Sequence, residues 1–207
     1  MKKIIAVFML FMGLSVSACA ETYVDGKDYQ SISQPTQTGD KIEVLEFFWY
    51  GCPHCFAFEP RIQKWLKTKS TAAEFVRLPA VFRPSWKVHA RTYYALEMMG
   101  IIEEMHTKIF SAMHNKKMKL DTLESMSGFL ERQKVDKKKF LDTYNSFAVE
   151  TRLRKAVKKL KDYNVRGVPA IAVNGKYYIT ASSAGSYEKL IDIVNYLIKK
   201  EEAAIKK

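Results

Sequence analysis

The chain has 207 residues, 47% of them hydrophobic and 27% charged, which is enough for one compact unit, or two small intimate ones, with a real core. Its formal net charge of +12 would suit nucleic acid or an anionic membrane. No RNA-binding motif is present, however, and a solvated, lysine-rich surface accounts for the charge.

The chain opens with Met1-Lys2-Lys3, an apolar run from Ile4 to Val16, and then Ala18-Cys19-Ala20. This pattern predicts a secretory signal peptide over residues 1–20, cleaved after Ala20, and it is too short to be a spanning helix. Val16-Ser17-Ala18-Cys19 also fits a loose lipoprotein box, which would leave a lipidated Cys19 at the N-terminus. On either route Cys52 and Cys55 are the only thiols left to the working domain, in an oxidising compartment where a disulfide persists.

A polar arm follows up to Gly39, with one short strand expected near Tyr29 to Ile32. Ile42 to Phe48 is rich in β-branched and aromatic residues and reads as a buried central strand. A helix should begin around Cys52, with Pro53 in its first turn and Pro60 kinking it. Glu74 to Phe82 reads as a second strand. From Trp86 to about Tyr163 the pattern is helical only, with turns near Gly100, Asn115 and Gly128 and an N-cap at Asp136. Ala170–Val173 and Lys176–Thr180 flank Asn174-Gly175, a strong two-residue hairpin signal. Ser186 to Lys200 is an amphipathic last helix, and Glu201 to Lys207 should fray. The expected fold class is α/β, a thioredoxin-like fold with an inserted all-helical domain. Its core is residues 21–82 and 157–207, and its insert 83–156.

The chemistry centres on Trp49-Tyr50-Gly51-Cys52-Pro53-His54-Cys55. Residues three apart share a helix face, so the two thiols are close enough to form a disulfide. Cys52 falls at the helix tip, where unpaired N–H groups and the helix dipole favour a thiolate. Cys55 lies one turn inside and resolves the mixed disulfide that Cys52 forms. His54 next to the thiolate donates a hydrogen bond or a positive charge, which lowers the Cys52 pKa. A stabilised reduced form in turn makes the disulfide a good oxidant. Trp49 and Tyr50 are either core or an apolar rim for substrate. Glu46 shares an otherwise apolar strand face with Ile42, Val44 and Phe48, a costly position unless the carboxyl has a task or a partner. A zinc half-site is the competing reading of the cysteine pair. No second pair exists, though, and His89, His106 and His114 lack ligand spacing, so they read as surface or core residues and no metal is expected. The basic run from Arg152 to Lys161 and Lys137-Lys138-Lys139 read as solvated helix faces. The methionines of the helical block read as core filler.

Two separated motifs resemble the DsbA family of periplasmic disulfide oxidases. They are Cys52-Pro53-His54-Cys55, after Val44-Leu45-Glu46-Phe47-Phe48, and Arg166-Gly167-Val168-Pro169-Ala170, before Val173-Asn174-Gly175-Lys176-Tyr177. Tyr23-Val24-Asp25-Gly26-Lys27 resembles the family's mature N-terminal segment, so the likeness spans the mature chain. The family is itself a reference case of a low-pKa, oxidising thiol pair. The resemblance implies a cis bond before Pro169, with the backbone of Val168 holding an extended substrate by β-augmentation. It also implies that Glu46 and Glu59 tune proton transfer at the buried cysteine. Where the family prototype carries a lysine near these acids, this chain has Arg77, whose guanidinium cannot relay a proton. The segment Leu78 to Pro84 departs as well. Unfolded or reduced exported polypeptides are the implied clients, a DsbB-type quinone-linked membrane oxidase the implied partner, and a cofactor-free monomer the implied form. Two alternatives remain. One is a reductase or isomerase using the same chemistry; the other is a peptide-binding chaperone whose thiols are incidental.

Overall fold

The computed structural model describes residues 22–36 and 38–205. The expected signal peptide and Cys19 lie outside the described residues. A two-residue strand β1 (Gln30–Ser31) leads to β2 (Ile42–Phe48), α1 (Pro53–Leu66) and β3 (Ala73–Pro79). After a 3-10 turn at Pro84–Trp86 come α2 (Lys87–Met98), α3 (Ile102–His114), α4 (Leu123–Arg132), α5 (Lys137–Tyr144) and α6 (Phe147–Asp162). The chain then returns to the sheet as β4 (Ala170–Val173) and β5 (Tyr177–Thr180), and closes with α7 (Ala181–Ala184) and α8 (Tyr187–Ile205).

The sheet order is β1-β5-β4-β2-β3. β2 runs parallel to β3 and antiparallel to β4, so it is central and buried on both faces. Alternation along β2 sends Ile42 and Val44 into a core with Phe58, Ile62 and Trp65 of α1 and Leu190, Val194 and Leu197 of α8. Leu45 and Phe47 go into a second core shared with the helical block. The β2–β3 register sets Glu46 beside Arg77, two charged side chains in the middle of an apolar sheet.

Local signals explain most element boundaries. Cys52 caps α1, with Pro53 in its first turn. The Asp136 carboxylate accepts the Lys139 N–H and starts α5. Asn174 and Gly175 both have positive φ, 51° and 64°, as a type I′ hairpin turn requires.

Three expectations are corrected. Gly128 lies inside α4, because Thr122 and Ser125 form a capping box that starts the helix earlier and carries it past the glycine. β3 stops at Pro79, short of Phe82, because β2, its only partner strand among the described residues, ends at Phe48, opposite Pro79. The tail does not fray at Glu201: α8 continues to Ile205, and Glu201 is 3% exposed. Its carboxylate accepts from Asn174 Nδ2 (2.6 Å), Lys176 Nζ (2.6 Å) and the Tyr177 hydroxyl (3.0 Å), which ties the last helix to the β4–β5 hairpin.

Candidate active site

Cys52 and Cys55 are both free thiols, so the site is in its dithiol form. Cys52 sits at the N-terminus of α1 and its sulfur accepts the Cys55 N–H at 3.4 Å. Its thiol is brought down to about 6, chiefly by a hydrogen bond from the Cys55 thiol. Burial opposes this, while the backbone N–H groups of Cys55 and His54 and the charge of His54 add to it. Cys55 behaves oppositely. Burial pushes its thiol well above the ordinary range, and the neighbouring Cys52 and Glu46 push it further. One residue spacing thus yields an ionisable sulfur at the helix tip and a protonated one beneath it.

The second motif comes from the other side of the fold. The Val168–Pro169 peptide bond is cis, and the Cys52 thiol lies 3.5 Å from the Val168 carbonyl oxygen, to which it donates. Pro169 is buried and Val168 half-buried. An open cleft of about 910 Å³ runs past His54, Val168, Pro169, Tyr178, Thr180 and Tyr187. Pro53 and His54 are both exposed, and His54 lines the cleft. His54 is not free there: its Nδ1 lies 3.3 Å from the Tyr187 hydroxyl, and the Tyr187 ring stacks on Phe58 with centroids 5.2 Å apart.

Beneath the thiols is a dry cluster of charges. Arg77 Nε stands 3.2 Å from Glu46 Oε2, and its Nη2 donates to Glu59 Oε1 at 2.9 Å. All three side chains are nearly inaccessible to solvent. Burial pushes Glu46 up to about 8, although Arg77 pulls the other way. Burial also opposes the ionisation of Glu59, but His106, Arg77 and a 2.7 Å bond from Gln63 outweigh it and hold Glu59 below the ordinary carboxyl range. One guanidinium faces two carboxyls; one carboxyl is held ionised and the other tends to keep its proton.

Trp49 and Tyr50 part company. Trp49 is half-buried; its indole stacks on Trp86 with centroids 3.9 Å apart and donates to His89 Nδ1 at 2.8 Å. The ring lies across Gly51, and any Cβ there would run into it. Tyr50 is fully buried, which removes it from the expected substrate rim: its phenol points down at His106 Nδ1, 2.9 Å away.

Sequence reasoning missed the histidines of the helical block. His89 holds Trp49, His106 faces Tyr50 and Glu59, and His114 Nε2 donates to the Tyr50 carbonyl at 2.7 Å while stacking on Phe56. A faint signal existed: His106, Phe110 and His114 recur every fourth residue and so share one face of α3. Tyr187 gave none, since it reads as an ordinary first-turn residue of α8.

The comparisons agree with this geometry. The family model described as "DSBA-like thioredoxin domain" matches residues 70–194. The chain is 45% identical to the thiol:disulfide interchange protein DsbA of Pseudomonas aeruginosa, covering 100% of both chains. It is 38% identical to the protein of the same name from Burkholderia cepacia, over 96% of this chain and 97% of that one. A crystal structure of Pseudomonas aeruginosa DsbA superposes with a TM-score of 0.85 at 47% identity, covering 89% of this chain and 97% of that chain. The DsbA oxidoreductase of Xylella fastidiosa gives 0.81 at 32% identity, covering 87% and 98%. The chain therefore belongs to the DsbA family of thioredoxin-fold thiol-disulfide oxidoreductases.

Proposed function

We propose that the enzyme runs in the oxidising direction, giving its Cys52–Cys55 disulfide to exported, folding polypeptides in the periplasm. The observation that carries this is the pairing of a Cys52 thiol brought down to about 6 with a Cys55 thiol pushed up. A sulfur that holds negative charge easily stabilises the dithiol and is a fast leaving group. A client thiolate attacks Cys52 Sγ, the Cys52–Cys55 bond breaks, and Cys55 leaves and takes up a proton. The client's second thiolate then attacks its own sulfur in the mixed disulfide and Cys52 leaves as thiolate. Two electrons have passed from client to enzyme, and no cofactor or metal takes part.

The Val168 carbonyl beside Cys52 is a hydrogen-bond acceptor for the N–H of an extended client, which holds a peptide without reading its sequence. The half-buried Trp49 supplies an apolar edge. Glu46, raised to about 8, lies in the electrostatic field of both sulfurs and takes the role of exchanging the Cys55 proton, a role Arg77 cannot take. The reduced enzyme would be re-oxidised by a DsbB-type quinone-linked membrane partner. The working unit is a monomer, with residues 21–82 and 157–207 forming the thioredoxin-like part and 83–156 the insert. Its seam at 156/157 falls within the unbroken α6.

The test is a redox titration against glutathione, followed by mixing the oxidised protein with a reduced, denatured client. Rapid transfer to the client and an equilibrium far on the side of the dithiol are expected. A disulfide as stable as that of a reductase would overturn the oxidising role.

A further inference from the structure

The buried cluster leaves a question of charge placement. Arg77 can neutralise one carboxylate in a dry site, and two buried ones compete for it, with the exposed Glu103 of α3 at 4.0 Å from its Nη1. Among the described residues, Glu46 has only Arg77 as a charge partner. Glu59 has Arg77, the Gln63 amide and one further group, His106 of the helical insert. His106 Nε2 stands 3.5 Å from Glu59 Oε2, and neither atom has a hydrogen-bond partner among the described residues, so each is the nearest polar group the other could satisfy. The other ring nitrogen, Nδ1, lies 2.9 Å from the Tyr50 hydroxyl.

We propose that His106 is a positioning residue for the thiol chemistry: a neutral imidazole, it donates from Nε2 to Glu59, fixes the buried negative charge there, and leaves Glu46 as the carboxyl that carries the exchangeable proton. The proposal rests on the redox reading of the cysteine pair and extends it.

The ring's surroundings define its state. Tyr50, before α1, keeps its phenol proton because burial holds it well above its ordinary range, so it donates to Nδ1. That places the ring's single proton on Nε2, facing Glu59. Burial and the nearby Arg77 cation keep the imidazole neutral, against the pull of Glu59 and of Glu103 on its own helix. Tyr93 of α2 packs edge-on against the ring with centroids 6.2 Å apart, Phe48 of β2 lies at 5.0 Å and Phe110 at 5.1 Å. Three rings thus pack against the imidazole, and its close polar contacts among the described residues, Tyr50 and Glu59, lie at its two nitrogens.

The link to the sulfurs runs through Glu46. Both cysteines feel its charge: it raises the Cys55 thiol, and Cys52 raises Glu46 in return. Removing the Nε2 donor weakens the hold on charge at Glu59, and the negative charge moves onto Glu46. A carboxylate there opposes the Cys52 thiolate and makes the dithiol less favourable.

The experiment uses the full mature protein with His106→Leu and His106→Gln, reading Cys52 thiolate absorbance against pH and the redox equilibrium with glutathione. In His106→Leu the Cys52 titration should move up by about half to one unit, and the equilibrium should shift about three- to tenfold toward the disulfide. His106→Gln, whose amide can donate in place of Nε2, should recover most of both. A folded His106→Leu protein with wild-type titration and equilibrium would overturn the proposal. Should that variant fail to fold, nitrogen chemical shifts of His106 in the wild-type protein decide the matter. A neutral ring with its proton on Nε2 supports the assignment, and a charged ring or a proton on Nδ1 overturns it. Disulfide exchange of the wild type in the same titration tests the activity itself separately.

Discussion

The Cys52 sulfur lies 3.5 Å from the carbonyl oxygen of Val168, a residue 116 positions further along the chain. An oxygen at that place welcomes a thiol and repels a thiolate, so the charged form of Cys52 depends on its donors. The strongest of these is the Cys55 thiol, ahead of the two N–H groups and of His54. Replacing Cys55 by Ala should therefore do two things. The Cys52 titration should rise by about one unit or more above 6, and the lone Cys52 thiolate should attack disulfide-bonded clients, expel one client thiolate and stay trapped as a mixed disulfide, because no Cys55 thiol remains to release it. Thiolate absorbance and non-reducing electrophoresis read the two effects. His54→Ala should move the titration less than Cys55→Ala, and the reverse order would assign the tuning to the histidine.

Proton linkage ties this site to stability. Cys52 ionises near 6 in the folded dithiol, against 9.0 for an unperturbed thiol. Between those values the unfolded chain binds more protons than the native one, so stability of the reduced protein rises with pH. The Cys52 contribution is complete above the unfolded value and is lost as pH falls through about 6. Cys55, with its raised pKa, opposes folding only where unfolded thiols begin to ionise. The disulfide form has neither thiol and lacks both effects. Urea unfolding of both redox forms should show the advantage of the dithiol shrinking from neutral pH to below 6. A gap independent of pH would contradict the assignment.

Among the described residues, Arg77 is the one cation held against both Glu46 and Glu59. Arg77→Met should cost about 3–5 kcal/mol at neutral pH, because it strands a charge in a dry interior. Wild-type Glu59 is held below its ordinary 4.5, so its stabilising effect exists above that value and fades as pH falls through the lowered one. The deficit of the variant should accordingly narrow in acid, where both carboxyls carry protons. Denaturant melts at neutral and acidic pH measure this, and an equal deficit at both would show that lost packing, rather than charge, is responsible.

Most of the fold was legible because its determinants are local. Enrichment in β-branched and aromatic residues marked β2, the Asn174-Gly175 pair marked the hairpin, and a proline after a half-capping cysteine marked the start of α1. The charge cluster was half legible. Glu46 stood out as a carboxylate on an apolar strand and Arg77 as a departure from the family pattern, but only the strand register places them side by side. The histidine contacts were not legible at all. Each joins the helical block to residues 40 to 64 positions earlier, and no spacing rule encodes such a distance. Glu201 was misjudged for the same reason, since a charged residue near a terminus looks solvated until a hairpin is folded against it.

That carboxylate supplies a control. Glu201→Ala leaves the Asn174 amide and the Tyr177 hydroxyl without their acceptor, and should cost about 2 kcal/mol of stability. The carboxylate's partners are all on the hairpin turn and none is at the thiols, so disulfide transfer per folded molecule should be unchanged. A fall in transfer rate with intact stability would mean that the hairpin communicates with the catalytic pair.

Three imidazoles grip three neighbouring rings, Trp49, Tyr50 and Phe56, around the reactive pair. The insert is thereby married to the catalytic segment residue by residue. Domain-swapped chimeras that borrow a helical block from a distant cousin without its matching aromatic partners would bring orphaned nitrogens into the interior. Change at either side of that seam has to be answered on the other.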